Sequence, residues 1–323
     1  MNTSSPFFVR RLAAGAALAV LALCALPVGA ADAPTVPAAP NRYAATLAPL
    51  ERFEVGGVLV ERHGAASGRP LVFIPGLASG SWAWQDAVRA FGPKHPVYVL
   101  TLPGFDGRPA APPAPFTAAK AAVSQLLAQR HLDRPVLVGH SLGGILALAL
   151  AEEQPTAIGG VVSIDGLPVM PGTEEMTPNE RARFAETMGA QVARQPADRF
   201  AAQQQTYMRT IGSIDIGRAD DLARLSARSD PASVGRYAAD VLNVDLRPAL
   251  ASITAPVLVV MPFLGLDSDQ QGQTEEAKLD YYRALMAGTP KLKVVPVAPS
   301  RHFAMFDQPQ AVIDAVDTFL KSL

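Results

Sequence analysis

The sequence predicts an α/β protein: a mostly parallel sheet faced by helices, with a helical insertion in the second half of the chain. Three observations predict it. Short Val/Leu/Ile runs without period-two alternation mark strands buried on both faces. These runs alternate with helical stretches, as right-handed βαβ units require. Between Gly166 and Asp245 the alternation stops and only helical patterning remains. Composition agrees, since 323 residues that are 49% hydrophobic and 18% charged belong to the globular class rather than the disordered one. With 28 Lys+Arg against 29 Asp+Glu the chain has no global field for a polyanion, so a nucleic-acid partner is not expected.

Residues 1–30 read as a secretory signal. Arg10 and Arg11 form a positive start, Leu12 to Leu26 is charge-free and apolar, and Val28-Gly29-Ala30 offers small residues before a cut after Ala30. The apolar run is short for a membrane span of about 20 residues. No stable anchor is therefore expected after cleavage, and the chain is expected in the periplasm or outside the cell. The Arg10-Arg11 pair leaves twin-arginine export open beside the general route. The one cysteine, Cys24, lies in this segment, so the mature chain has no disulfide, thiolate metal ligand or thiol nucleophile. Residues 31–49, rich in Ala and Pro, read as a flexible leader.

The core follows at residues 50–166 and resumes at 246–323. Phe53 to Arg62 reads as a strand pair turning at Gly56-Gly57. Leu71 to Ile74 is a buried strand stopped by Pro75-Gly76, and a helix from about Trp82 to Phe91 follows it. Val97 to Leu102 is a strand, Ala118 to Arg130 a helix, Pro135 to Val138 a strand. Leu142 to Glu153 is a helix apolar almost all round, which should sit deep against the sheet. Val161 to Ile164, Val257 to Met261 and Leu292 to Val297 are further strands, and Pro309 to Leu323 closes the chain as a helix. In the insertion, 167–245, Thr177-Pro178-Asn179-Glu180 is a capping box ahead of Phe184, Met188 and Val192. Phe200, Tyr207, Met208 and Ile211 mark a second helix, and Asp230-Pro231 opens a third.

Three places carry chemistry. Gly139-His140-Ser141-Leu142-Gly143 stands directly after a strand and opens a helix. A serine on so sharp a turn is projected above the sheet edge, and flanking glycines leave room for the turn. Pro75-Gly76-Leu77 ends an earlier strand; alone it is an ordinary turn, but beside the first motif it can supply a backbone N–H. Acyl transfer needs two such groups for its oxyanion, expected here from Leu77 and Leu142. Ser300-Arg301-His302-Phe303 lies between the last strand and the last helix. Of His63, His95, His131, His140 and His302, only His302 follows the serine on a loop at the same sheet edge, so it is the expected general base. His140 should be aimed elsewhere by the turn, and the others read as exposed loop or helix-end residues. The acid that orients the base is expected after the 257–261 strand, with Asp267 first and Asp269 second. Asp165, at the end of the preceding strand, is a third candidate that could simply cap a turn.

These segments resemble the α/β-hydrolase superfamily. The residues that carry the likeness are IPGLASGSWAW (74–84), LPGFDG (102–107), GHSLGG (139–144), APVLVV (255–260) and RHFAMFDQP (301–309). The resemblance covers nearly all of residues 52–323. It implies an eight-stranded, mostly parallel sheet with a helical lid between strands 6 and 7, Ser141 as nucleophile, His302 as base, and Leu77 and Leu142 as oxyanion donors. Two departures stand out: Pro75 where many members carry His, and a loop after the seventh strand without the usual Gly-x-x-Asp. A serine rather than an aspartate at the turn implies acyl chemistry on a small-molecule substrate: ester, thioester, lactone or amide hydrolysis, or acyl transfer and perhydrolysis on the same acyl-enzyme. No metal-ligand spacing or dinucleotide signature is present, so no cofactor and no metal are expected. Met176, Phe184, Met188, Tyr207, Met208 and Tyr237 are the candidate inward residues of the insertion; whichever line a pocket make it apolar and favour a small or medium hydrophobic acyl ester. Glu174 and Glu175 would suit a substrate amine, as in an aminopeptidase, or are the solvated start of the insertion. A binding member of the fold without catalysis is the remaining alternative.

Overall fold

The computed structural model describes residues 41–267 and 273–323. The expected signal, its Cys24, most of the expected leader and Asp269 lie outside the described residues. Eight strands form one sheet in the order β1-β2-β4-β3-β5-β6-β7-β8. They are β1 Glu51–Val55, β2 Val58–Gly64, β3 Leu71–Ile74, β4 Pro96–Thr101, β5 Val136–His140, β6 Gly160–Ile164, β7 Val257–Pro262 and β8 Leu292–Val297. The first pair and the β2–β4 pair are antiparallel, and every pairing from β4 to β8 is parallel. The central strands β3 to β7 are buried along their whole length, which is why they read as unbroken apolar runs.

Helices α1 Gln85–Phe91, α2 Pro115–Gln129 and α3 Leu142–Glu153 connect the early strands. In α3 every residue from Leu142 to Ala151 is buried, so its all-round apolar sequence has an apolar neighbour on each side. Between β6 and β7 run α4 Pro178–Ala193, α5 Ala197–Tyr207, α6 Ile216–Ser226 and α7 Pro231–Asn243. The capping box at Thr177 is formed, with Glu180 reaching back to the Thr177 N–H at 2.9 Å. The expected continuous helix through Ile211 instead stops at Tyr207 and passes into a π-turn, Met208–Gly212. Two further helices went unread in the sequence: α6, capped by Asp215 on the Arg218 N–H, and α8 Glu275–Leu285, capped by Thr274 on the Ala277 N–H. α9 Pro309–Lys321 ends the chain.

Residues 41–49, expected as the end of a flexible leader, are held on the fold. Arg42 pairs with Asp221 at 2.7 Å, the Tyr43 ring meets Phe306 edge-on at 5.3 Å, and the Thr46 and Leu47 N–H groups both donate to Gln85 Oε1 at 3.0 Å.

Sheet register brings the reactive segments together. Ile74 pairs with Gly139, and His140 pairs with Ile164. The next residue on each strand, Ser141 and Asp165, therefore emerges side by side at the carboxyl edge, where open α/β sheets bind ligands.

Candidate active site

Ser141 has φ 51° and ψ −119°, the strained left-handed backbone of a sharp strand-to-helix turn. The neighbouring glycines explain how the chain tolerates it. A Cβ on Gly139 would collide with the Gly143 carbonyl, and one on Gly143 would collide with the Ile74 carbonyl at the end of β3. A Cβ on Gly76 would stand 2.6 Å from His140 Nδ1 and 3.3 Å from the Ser141 Cβ. Bare backbone at all three lets the loop after β3 lie against the turn, so that Leu77 and Ser141 line one cavity. Leu142 is the first residue of α3, and an N–H at that position has no intrahelical acceptor.

His302 lies in the same cavity and is fixed from both ends. Its backbone N–H donates to the Ile211 carbonyl of the π-turn at 3.1 Å, and the next N–H, of Phe303, donates to Gly212 at 2.9 Å. Its Nδ1 is 2.5 Å from Asp165 Oδ2, and both side chains are almost enclosed, 11% and 15% exposed. Asp165 can only accept there when ionised, so Nδ1 carries the proton and Nε2 is left as the acceptor. The other carboxylate oxygen of Asp165 accepts from the Tyr282 hydroxyl. Burial pushes the Asp165 carboxyl up, but His302 by charge and hydrogen bond, then the Lys278 charge and the Tyr282 hydrogen bond, outweigh it and bring the pKa down to about 2. Burial holds Tyr282 well above the ordinary tyrosine value, with the Asp165 charge acting in the same direction, so it stays a donor.

The expected acid is displaced. Asp267 is engaged by its neighbour Arg301, which grips both carboxylate oxygens at 2.8 Å, and the carboxylate on His302 is Asp165. The physical reason is that a guanidinium one residue before His302 offers Asp267 a bidentate partner, whereas Asp165 already stands beside Ser141 through the β5–β6 register. His140, expected to be aimed elsewhere, also borders the cavity. It donates from Nε2 to the His302 carbonyl at 3.0 Å, and burial first, then the nearby His302, lowers its pKa to about 3. His63 departs from the expectation of an exposed residue: it lies buried within β2, and burial lowers its pKa.

Residues 71–315 match the alpha/beta hydrolase family. The chain belongs to that family. It is 27% identical over 260 residues to the biotin biosynthesis bifunctional protein BioHC of Cellvibrio japonicus, a match covering 78% of this chain and 48% of that one. It is 26% identical over 221 residues to the putative carbamate hydrolase RutD of Yersinia enterocolitica, covering 64% and 73%. Over 145 residues it is 32% identical to the sn-1-specific diacylglycerol lipase ABHD11 of Xenopus laevis, covering 42% and 46%. This alpha/beta hydrolase thus spans about half the length of the BioHC and ABHD11 proteins. A thermophilic esterase from Thermogutta terrifontis superposes with a TM-score of 0.66 at 18% identity, over 84% of this chain and 98% of that one. A hydrolase from Pseudomonas aeruginosa superposes with 0.62 at 20%, over 81% and 94%. At these identities the structural likeness speaks for the fold alone.

The remaining cavity wall of this alpha/beta hydrolase differs from the sequence expectation. Of the six candidate inward residues only Tyr207 lines it. Met208 packs in the main core, the Tyr237 ring meets Phe105 at a tilt with centroids 4.7 Å apart, and Met188 packs with Ala185, Leu242 and Phe184. The wall is completed by Ile145, Leu167, Val169, Met170, Pro171 and by Gln204. Glu174 is occupied by the Tyr281 hydroxyl and the Gly172 N–H, Glu175 is exposed, and neither lines the cavity.

Proposed function

We propose that this alpha/beta hydrolase is a serine hydrolase that cleaves a carboxylic ester, or a related acyl bond, of a small to medium hydrophobic substrate. The observation that carries the reading is the 2.5 Å contact between His302 Nδ1 and Asp165, on the cavity that Ser141 enters from its strained turn. In the proposed cycle His302 Nε2 takes the Ser141 hydroxyl proton as Oγ bonds to the substrate carbonyl carbon. The carbonyl oxygen gains the electron pair and accepts hydrogen bonds from the Leu77 and Leu142 N–H groups. The tetrahedral intermediate collapses, the bond to the leaving group breaks, and His302 returns the proton to it. Water, deprotonated by His302, then attacks the acyl-Ser141 carbonyl, the bond to Oγ breaks, His302 returns the proton to Oγ, and the acid leaves. Asp165 keeps the ring in the tautomer with Nδ1–H and stabilises its cationic form. The four helices between β6 and β7 act as the lid in this reading, since Gln204 and Tyr207 from α5 close the cavity over Ser141. The diacylglycerol lipase and putative carbamate hydrolase among the relatives are named for acyl-bond hydrolyses that the same constellation would serve.

The test is covalent labelling with a fluorophosphonate followed by peptide mapping. One adduct is expected, on Ser141, absent in Ser141→Ala and strongly slowed in His302→Ala. Turnover of 4-nitrophenyl butanoate should fall by about 10⁴-fold or more in Ser141→Ala with the fold retained. No adduct, or an adduct elsewhere, overturns the assignment. Export is a separate proposal resting on the composition of residues 1–30, and protein recovered from the producing cell should then begin at Ala31 by mass spectrometry; retention of the segment counts against it.

A further inference from the structure

Gln204 stands near the end of α5, 2% exposed, and lines the same cavity as Ser141 and His302. One end of its amide is fixed. Oε1 accepts from the Ser226 hydroxyl at 2.7 Å, and the Ser226 oxygen lies 3.1 Å from the carbonyl of Ala78, the residue after the expected oxyanion donor Leu77. The other end, Nε2, is buried and has no partner among the described residues. Buried polar groups are almost always paired, and an unpaired amide at a site points to a group that arrives from outside. Of the other polar groups of the wall, the Tyr207 hydroxyl has no hydrogen bond among the described residues, and His140 Nδ1 is unpartnered as an acceptor, since Nε2 carries the proton. Both oxygens of Asp165 are taken by His302 and Tyr282, His140 Nε2 is held by the His302 carbonyl, and His140 Nδ1 faces the bare backbone of Gly76. Beside the Tyr207 hydroxyl, the wall therefore carries one oriented amide, that of Gln204, with free donor capacity.

We propose that Gln204 is a substrate-recognition residue. Its Nε2 donates to an acceptor oxygen of the substrate, ether or carbonyl, that is distinct from the scissile carbonyl. The inference rests on the serine-hydrolase reading and narrows its substrate class to largely apolar acyl esters that carry one further acceptor oxygen. A wholly hydrocarbon ester fills the same wall but leaves the amide desolvated and unpaired, so it should react less well than its oxygen-bearing counterpart.

The experiment compares matched esters in which one oxygen replaces one methylene: 4-nitrophenyl methoxyacetate against butanoate, 3-methoxypropanoate against pentanoate, and, for the alcohol side, 2-methoxyethyl butanoate against butyl butanoate. Dividing the kcat/KM ratio of the wild type by that of Gln204→Met cancels the intrinsic reactivity of each ester. In at least one pair the ratio should fall about tenfold in Gln204→Met, mainly through KM. Gln204→Glu, which keeps the shape and replaces the donor with a carboxylate oxygen, should lower it at least as far and gives a second reading should the Met variant fail to fold. Both variants should still label on Ser141 with a fluorophosphonate, which reports that Ser141 and His302 remain assembled, not that the rate is unchanged. Unchanged ratios in every pair, in variants that still label, overturn the proposal. An equal loss for both members of each pair also overturns it, since that is the mark of a packing role. Failure of the wild type to label would instead refute the serine-hydrolase reading.

Discussion

Replacing Asp165 by Asn separates the two candidate acids and tests the site as a unit. Asn keeps the size of the side chain, but its amide nitrogen can face His302 Nδ1 as a donor. Nδ1 must then become the acceptor and the ring proton moves to Nε2, the atom that has to receive the Ser141 proton. The contact concerned is short, 2.5 Å, and nearly closed to solvent, so water does not restore the tautomer at low cost. A tautomer fault of this kind costs about 10⁴-fold in kcat, or about 5 kcal/mol of barrier. Asp267→Asn disrupts only the pair with Arg301, in which Asp267 is 37% exposed. An exposed pair is worth about 0–1 kcal/mol, so kcat should change by less than about fivefold. The assay is initial-rate hydrolysis of 4-nitrophenyl butanoate by both variants, with thermal unfolding followed by circular dichroism to check that each is folded. The reasoning fails if Asp165→Asn stays within about tenfold of wild type, or if folded Asp267→Asn suffers the larger loss.

Three other substitutions read the scaffold. In Gly143→Ala the new Cβ meets the Ile74 carbonyl, which is backbone and cannot swing away, so the fold should lose about 3 kcal/mol, seen as a lower urea midpoint. The fully buried Asp307 carboxylate accepts from the Ser213 hydroxyl at 2.6 Å, Arg218 Nη1 at 2.7 Å and the Arg301 N–H at 2.9 Å. Asp307→Ala strands Arg218 and frees the loop before His302; a loss of about 3 kcal/mol in urea unfolding is expected, and a change under 1 kcal/mol would refute that role. Burial, partly offset by Arg228 and reinforced by Glu61, raises the Asp106 carboxyl from its ordinary 3.8 to about 6. The folded state then binds the proton more tightly than the unfolded one, so ionised Asp106 opposes folding as pH rises from 3.8 to 6. Asp106→Asn should leave stability unchanged below pH 3.8 and add up to about 3 kcal/mol above pH 6, and a gain independent of pH would contradict this.

What the sequence made legible, and what it hid, follows from the range of the forces involved. Gly139, Ser141 and Gly143 could be read because their constraint is local: a turn this tight admits no Cβ on either side, and the strand before it and helix after it are apolar runs of adequate length. The carboxylate that meets His302 was ranked third because the order serine, acid, histidine is met equally by Asp165, Asp267 and Asp269. The decision lies in contacts distant along the chain, the β5–β6 register and the claim of Arg301 on Asp267. One local signal favoured Asp165: it follows its strand as Ser141 follows β5, and both adopt positive φ. The insertion failed for a different reason. An apolar stripe shows which face of a helix is covered, and Met208 and Tyr237 are indeed buried, but core and cavity cover a stripe alike. The residue of α5 that distinguishes the cavity wall is polar. Gln204 breaks the stripe, and a search for apolar periodicity discards it for that reason. In a site whose walls are largely apolar, the buried amide that packing alone does not explain carries more information about the substrate than the Met and aromatic side chains around it.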